Sequence, residues 1–140
     1  MKNSKATPTP VITGLKLSKE DKGSKVNSTL FKRLVGSLMY LTMTRPDIMY
    51  GVSLISRFME TPKESHWKPG KRILRYVNVP KYFGIKYSTS EDFRLIGYTD
   101  SDCGGNIDDR KSTSRYTFHF GTCIVSWASR KQPIVTLSSE

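Results

Sequence analysis

"RLIGYTDSDCGGNIDDRKSTSRYTFHFGTCIVSWASR", residues 94–130, decides the fold. RLIGYTD (94–100), RYTFHFG (115–121) and CIVSWASR (123–130) are short runs rich in aromatic and branched residues. That pattern reads as β-strand. Gly121-Thr122 leaves a two-residue connection between the last two, which predicts a tight hairpin. The gap after the first run is chemically richer. Asp100 and Asp102 stand one residue apart, a glycine-rich turn follows, and then come Asp108 and Asp109. Carboxylates at a strand end can hold Mg²⁺ against a phosphodiester, or they can be turn residues that bond nearby backbone N–H groups. FGIKY (83–87) and IVTL (134–137) are two further β-type runs.

Upstream of Pro80 the period changes to that of a helix. Apolar residues at 30, 31, 34, 35, 38, 39 and 41 predict a helix buried along one broad face, with Ser28 as its N-cap. A second helix restarts at Thr44, with Pro46 in its first turn, Asp47 near the N-terminal dipole and an apolar face of Ile48, Met49, Val52, Ile55, Phe58 and Met59. Thr61-Pro62-Lys63-Glu64 reads as a capping box that opens a third helix toward Tyr76. Pro69 falls two turns into it, where a missing donor and a steric clash predict a kink or break. Helices first and an antiparallel meander after define an α+β chain. Residues 1–27 are expected to be a flexible basic tail, 28–80 a helical region and 81–140 the meander.

The charge is asymmetric. Residues 1–90 carry 17 Lys/Arg against 5 Asp/Glu, whereas residues 91–140 carry 6 against 7. A basic half of this kind suits a polyanion partner, with a merely solvated surface as the competing reading. Lys68, Lys71, Arg72 and Arg75 are the residues expected to contact phosphates, weakly and without sequence preference. Cys103, Cys123, His66 and His119 form no zinc-like spacing and are expected to be structural. The N-terminal residues lack the apolar core of a signal peptide, and no run approaches the roughly 18 apolar residues of a membrane span. An intracellular protein without a membrane partner is therefore expected.

Five blocks carry a resemblance: FKRLVGSLMYLTMTRPDIMYGVSLISRFM (31–59), HWKPGKRILRYV (66–77), GYTDSD (97–102), DDRKSTS (108–114) and SWASRKQPIVTLSS (126–139). In content and order they resemble the C-terminal part of copia-type retrotransposon polyproteins. The resemblance implies a helical connection that follows a reverse transcriptase, then the first three antiparallel strands of a ribonuclease H-like sheet. It also makes Asp100 the first carboxylate of a two-Mg²⁺ site, whose ions sit about 3.5–4 Å apart. The partner glutamate would lie in a following helix, in a stretch like S-S-T-E-A-E-Y. This chain reads LSSE up to Glu140, so the Mg²⁺ site is expected to be unassembled, Asp100 vestigial, and the chain a remnant without enzymatic activity or cofactor. Where the family has a glycine this chain has Arg115, and Cys103, Gly104, Asn106, Pro69-Gly70 and Asn78-Val79-Pro80 also depart from its pattern. A sheet left without its covering helix is expected to self-associate.

A second resemblance competes for the role. Arg72-Ile73-Leu74-Arg75 fits the R-x-L-R pattern of oomycete effectors, and the chain is similar to short copia-like proteins known as secreted RxLR effectors of a downy mildew. That resemblance implies secretion into a plant host cell, with the host nucleus as one destination, unknown host proteins as partners and suppression of defence. A four-letter pattern with a free position is a weak signal on its own.

Overall fold

The computed structural model describes residues 5–78, 84–89 and 94–135. The chain divides into two compact units, one ending at Phe83 and the other beginning at Gly84. The first holds helices α1 (Ser28–Leu41), α2 (Met49–Ser56) and α3 (Glu64–Val77), with a 3₁₀ turn at Pro46–Ile48 leading into α2. The second holds strands β1 (Leu95–Ser101), β2 (Thr113–Phe120) and β3 (Cys123–Lys131), an antiparallel sheet in the order β1-β2-β3. The fold is α+β.

Helix α1 is capped one residue earlier than expected. The Asn27 side chain accepts the Leu30 N–H at 3.0 Å, the job Ser28 was expected to do. Asparagine and serine cap about equally well, so cap preference does not separate the two positions and the backbone geometry does. The face of α1 is narrower than its apolar pattern: Phe31, Val35 and Leu38 are buried, while Leu30 and Met39 are half exposed. The buried three join Leu17, Ile48, Val52, Leu54, Ile55, Phe58 and Ile73 in one core.

Two other helix starts differ from expectation. Thr44 does not cap a second helix, because its hydroxyl bonds back to the Leu41 carbonyl at 3.4 Å. Thr61 to Lys63 stays outside α3, because this segment pairs with residues 24–26. Val26 N–H donates to the Pro62 carbonyl at 2.9 Å, and Glu64 N–H to the Ser24 carbonyl at 3.0 Å. Lys63 then occupies the cap position, and His66 Nδ1 accepts its N–H at 3.0 Å.

Helix α3 does not break at Pro69. Pro69 and Gly70 are both buried inside a continuous helix. A Cβ on Gly70 would stand 2.8 Å from Leu34 Cδ2, so the glycine lets α3 lie close to α1. Proline costs a helix interior about 3 kcal/mol. Burial of this segment against α1 and α2 offsets that.

Residues 5–27 have almost no regular structure, but they are not a detached tail. Leu17 is in the core, the Ser18 carbonyl lies 2.9 Å from His66 Nε2, and Thr7 Oγ1 donates to the Arg72 carbonyl at 3.3 Å. His66 is fully buried and stacks on Phe58 at 4.0 Å. Since its Nδ1 accepts a backbone N–H, its proton sits on Nε2 and donates to Ser18.

In the second unit Gly121 takes φ 58° and turns β2 into β3 across two residues, as the sequence predicts. One residue, Val125, is extra where the register shifts, which makes a bulge. Gly84–Tyr87 form no strand, and neither do Ile134 and Val135. Phe83 and residues 136–140, including Glu140, lie outside the described residues, as do Val79 and Pro80.

Candidate functional site

Helix α3 spreads the four expected phosphate contacts over two faces. Ser65, Lys68, Arg72 and Arg75 recur at intervals of three or four and share one stripe. With Ile12, Leu15 and Pro69 as an apolar wall they line a pocket of about 260 Å³. Lys71 is elsewhere, its ammonium 5.5 Å from the centre of the Trp67 ring. Lys68 pairs with Glu64 at 3.7 Å. Arg72 donates through Nε and Nη2 to the carbonyl and hydroxyl of Thr9, at 3.1 and 2.9 Å. Ser65 Oγ and Arg75 Nε are buried and have no hydrogen-bond partner among the described residues.

The R-x-L-R string is therefore built into the fold. Ile73 is fully buried, Leu74 packs on the edge of the core, and Arg72 ties the helix to the N-terminal segment. That segment's share of the pocket was missed in the sequence. No regular element announces it: Ile12 and Leu15 lie on either side of Gly14, which takes φ 73°, in a segment with almost no regular structure.

A second cluster sits at the start of α2. Arg45 forks onto Asp47 (Nε–Oδ1 2.9 Å, Nη2–Oδ2 2.6 Å), and the Tyr76 hydroxyl donates to Asp47 Oδ2 at 2.8 Å. Burial pushes the Asp47 carboxyl up, but the hydrogen bonds from Arg45 and Tyr76 outweigh it and hold the group below its usual range. The Arg45 guanidinium also lies 5.6 Å from the centre of the Tyr76 ring. No sequence motif announces this group, because its members are 29 residues apart.

The carboxylates of the quoted stretch scatter. Asp100 on β1 faces Arg115 on β2, and the two form an ion pair at 2.5 Å. Asp102 Oδ1 accepts the Thr113 N–H at 2.6 Å, and Asp109 Oδ1 accepts the Lys111 N–H at 3.3 Å. Asp109 also pairs with Lys131, which is the main cause of its lowered pKa. Buried Asn106 accepts the N–H groups of Asp108 and Asp109, forming the turn between β1 and β2. Among the described residues no three His, Cys, Asp or Glu come together as metal ligands. Cys103 is exposed and Cys123 buried, both as free thiols. The His119 ring meets that of Tyr98 edge-on at 5.6 Å.

Among the described residues no helix is long and apolar enough to cross a membrane. A basic helical unit followed by a three-stranded sheet with a strand-end aspartate is the arrangement that the copia resemblance implies, and comparison with known proteins agrees. The Retrovirus-related Pol polyprotein from transposon TNT 1-94 of Nicotiana tabacum is 42% identical over 147 residues, which cover 99% of this chain and 11% of that protein. The corresponding polyprotein from transposon RE2 of Arabidopsis thaliana is 37% identical, over 99% of this chain and 10% of its own length. Secreted RxLR effector protein 161 of Plasmopara viticola is 41% identical over 106 residues, 75% of each chain. The chain belongs to the retrotransposon Pol polyprotein family of the copia type. It spans about a tenth of the length of the tobacco and Arabidopsis polyproteins. No family model and no solved structure matches it.

Proposed function

We propose that this transposon-derived segment is non-catalytic, and that its sheet descends from a ribonuclease H domain without cutting RNA. The observation that carries the reading is the Asp100–Arg115 pair. An arginine stands where the family has glycine, and its guanidinium occupies space beside the carboxylate that a hard cation would need. A two-ion site requires several converging oxygens. The other aspartates near Asp100 are engaged in turn hydrogen bonds and a lysine pair. The purified chain is expected to leave the RNA strand of an RNA–DNA hybrid intact with Mg²⁺ or Mn²⁺. Asp100→Asn and Arg115→Gly are expected to change nothing. Metal-dependent cleavage that Asp100→Asn abolishes would overturn the reading.

A second reading is a secreted effector acting in a plant cell, with unknown host proteins as its partners. It is favoured by the likeness to effector protein 161, which extends over three quarters of both chains. In this reading the R-x-L-R residues are part of a folded helix rather than a free leader.

Binding of nucleic acid by the helical unit comes third, supported by its charge. Contacts would fall on phosphates, so affinity should be independent of sequence and fall steeply with salt. Replacing Lys68, Lys71, Arg72 and Arg75 together by Gln should reduce the log–log salt slope by up to about 3.6 units. Filter binding to duplex DNA across a salt series measures this, with circular dichroism confirming an intact fold. An unaltered slope assigns these residues to a solvated helix face.

A further inference from the structure

We propose that the pocket between the Ile12–Leu15 segment and α3 binds a dianionic phosphomonoester carried on a compact apolar group. Charge, hydrogen bonding and shape converge on that class of ligand.

The first is charge. Lys68, Arg72 and Arg75 line the pocket, and no acidic residue does. Lys68 is engaged by Glu64. Arg72 is bonded by the uncharged carbonyl and hydroxyl of Thr9, which orient its guanidinium, and it has no ion pair among the described residues. Arg75 has no ion pair among the described residues. Two such positive charges match a phosphate dianion better than a carboxylate, and guanidinium forks suit phosphate geometry.

The second is hydrogen bonding. Ser65 and Arg75 line the pocket, and their Oγ and Nε atoms are buried without partners among the described residues. A buried polar group left unsatisfied costs about 1–3 kcal/mol, and both of these groups belong to residues that line one cavity. Arg75 Nε is a donor only, and the serine hydroxyl can donate. Phosphate oxygens, which are acceptors, suit both groups.

The third is shape. At about 260 Å³ the cavity exceeds what a bare phosphate occupies, and Ile12, Leu15 and Pro69 give it an apolar side. An attached ring or short branched chain would cover that side. Because the N-terminal segment forms one wall and is held by the Thr7 and Thr9 bonds to Arg72, occupancy should also tighten this segment on the helix.

The test titrates the full chain with phenyl phosphate, inorganic phosphate and benzoate, following backbone amide shifts of residues 9–15 and 65–75 by NMR. Phenyl phosphate is expected to bind at least about tenfold more tightly than either fragment, since head and ring each contribute. Arg75→Gln and Ser65→Ala should each weaken it by about fivefold or more, whereas Lys71→Gln should not. Leu15→Ser should remove the advantage of the ring and leave inorganic phosphate binding unchanged, a check independent of the cations. Equal affinity for phenyl phosphate and inorganic phosphate would overturn the proposal, as would equal losses in Lys71→Gln and Arg75→Gln. A 5′-phosphorylated dinucleotide binding no better than its dephosphorylated form, and both better than phenyl phosphate, would assign the pocket to a phosphodiester backbone and sink the proposal.

Discussion

Ile73→Ala is expected to destabilise the helical unit by about 2–5 kcal/mol, the range for truncating a fully buried isoleucine and leaving a cavity. Ile73 is completely inaccessible to solvent. A Cβ on Gly51 would stand 3.1 Å from Ile73 Cδ1, so α3 meets α2 here across a glycine with no slack for collapse. In a unit of this size each kcal/mol moves the melting temperature by about 4–8 °C, so a fall of roughly 10 °C or more should appear in the helical circular dichroism of the full chain. Arg72→Gln and Arg75→Gln, on the stripe beside it, are expected to cost about 1 kcal/mol or less. The contrast bears directly on the effector reading. A leader read as R-x-L-R tolerates any residue at its second position, so Ile73→Ala would leave delivery intact while the fold weakens. If Ile73→Ala melts with the parent chain, Ile73 is not a core residue.

The residues that were legible and those that were not differ in a physical way. The Gly121-Thr122 hairpin could be read because only local constraints act there: a two-residue gap, a left-handed glycine and flanking alternation. Phe31, Val35 and Leu38 could be read from spacing, but Leu30 and Met39 sit on the shoulders of the same face. How far a face is covered depends on its neighbours, which spacing does not encode. Pro69 misled for the same reason. Its local cost is real, yet the helix continues because Gly70 brings α3 against α1, and no local rule counts that contact. Thr44 was a sound cap candidate that lost to a carbonyl three residues back, and Thr61 lost to a segment remote in sequence. The fate of the aspartates was legible as a choice between metal and turn. What the sequence could not show was that Arg115 would face Asp100, because that requires the register of β1 on β2. The pocket's apolar wall was invisible for a simpler reason, since Ile12 and Leu15 lie in a segment with almost no regular structure.

Asp47→Asn is expected to destabilise the same unit at neutral pH, by about 1–3 kcal/mol. Removing one member of a buried ion pair costs about 3–5 kcal/mol, and the figure is lowered because Asp47 is open to water on one side. Its side chain is 34% exposed against 10% for Arg45. The asymmetry makes the aspartate the informative member: the substitution takes a bidentate acceptor away from a largely desolvated guanidinium and turns an amide N–H₂ toward donors. Tyr76→Phe should cost less, about 0.5–1.5 kcal/mol, because it removes one hydrogen bond and keeps the ring against Arg45. The pH dependence follows from the lowered folded pKa of Asp47. A carboxyl whose pKa is depressed on folding contributes stability that is fully present above its unfolded value, near 3.9, and is lost as pH falls through the folded value. The gap between the parent chain and Asp47→Asn should therefore be constant from about pH 8 to pH 5 and close progressively below about pH 4. Urea unfolding of both chains at pH 7, 5, 4 and 3 measures it. A gap that persists undiminished at pH 3 would mean that the substitution acts through packing, and that the Arg45–Asp47–Tyr76 group does not hold the start of α2 to α3 by charge.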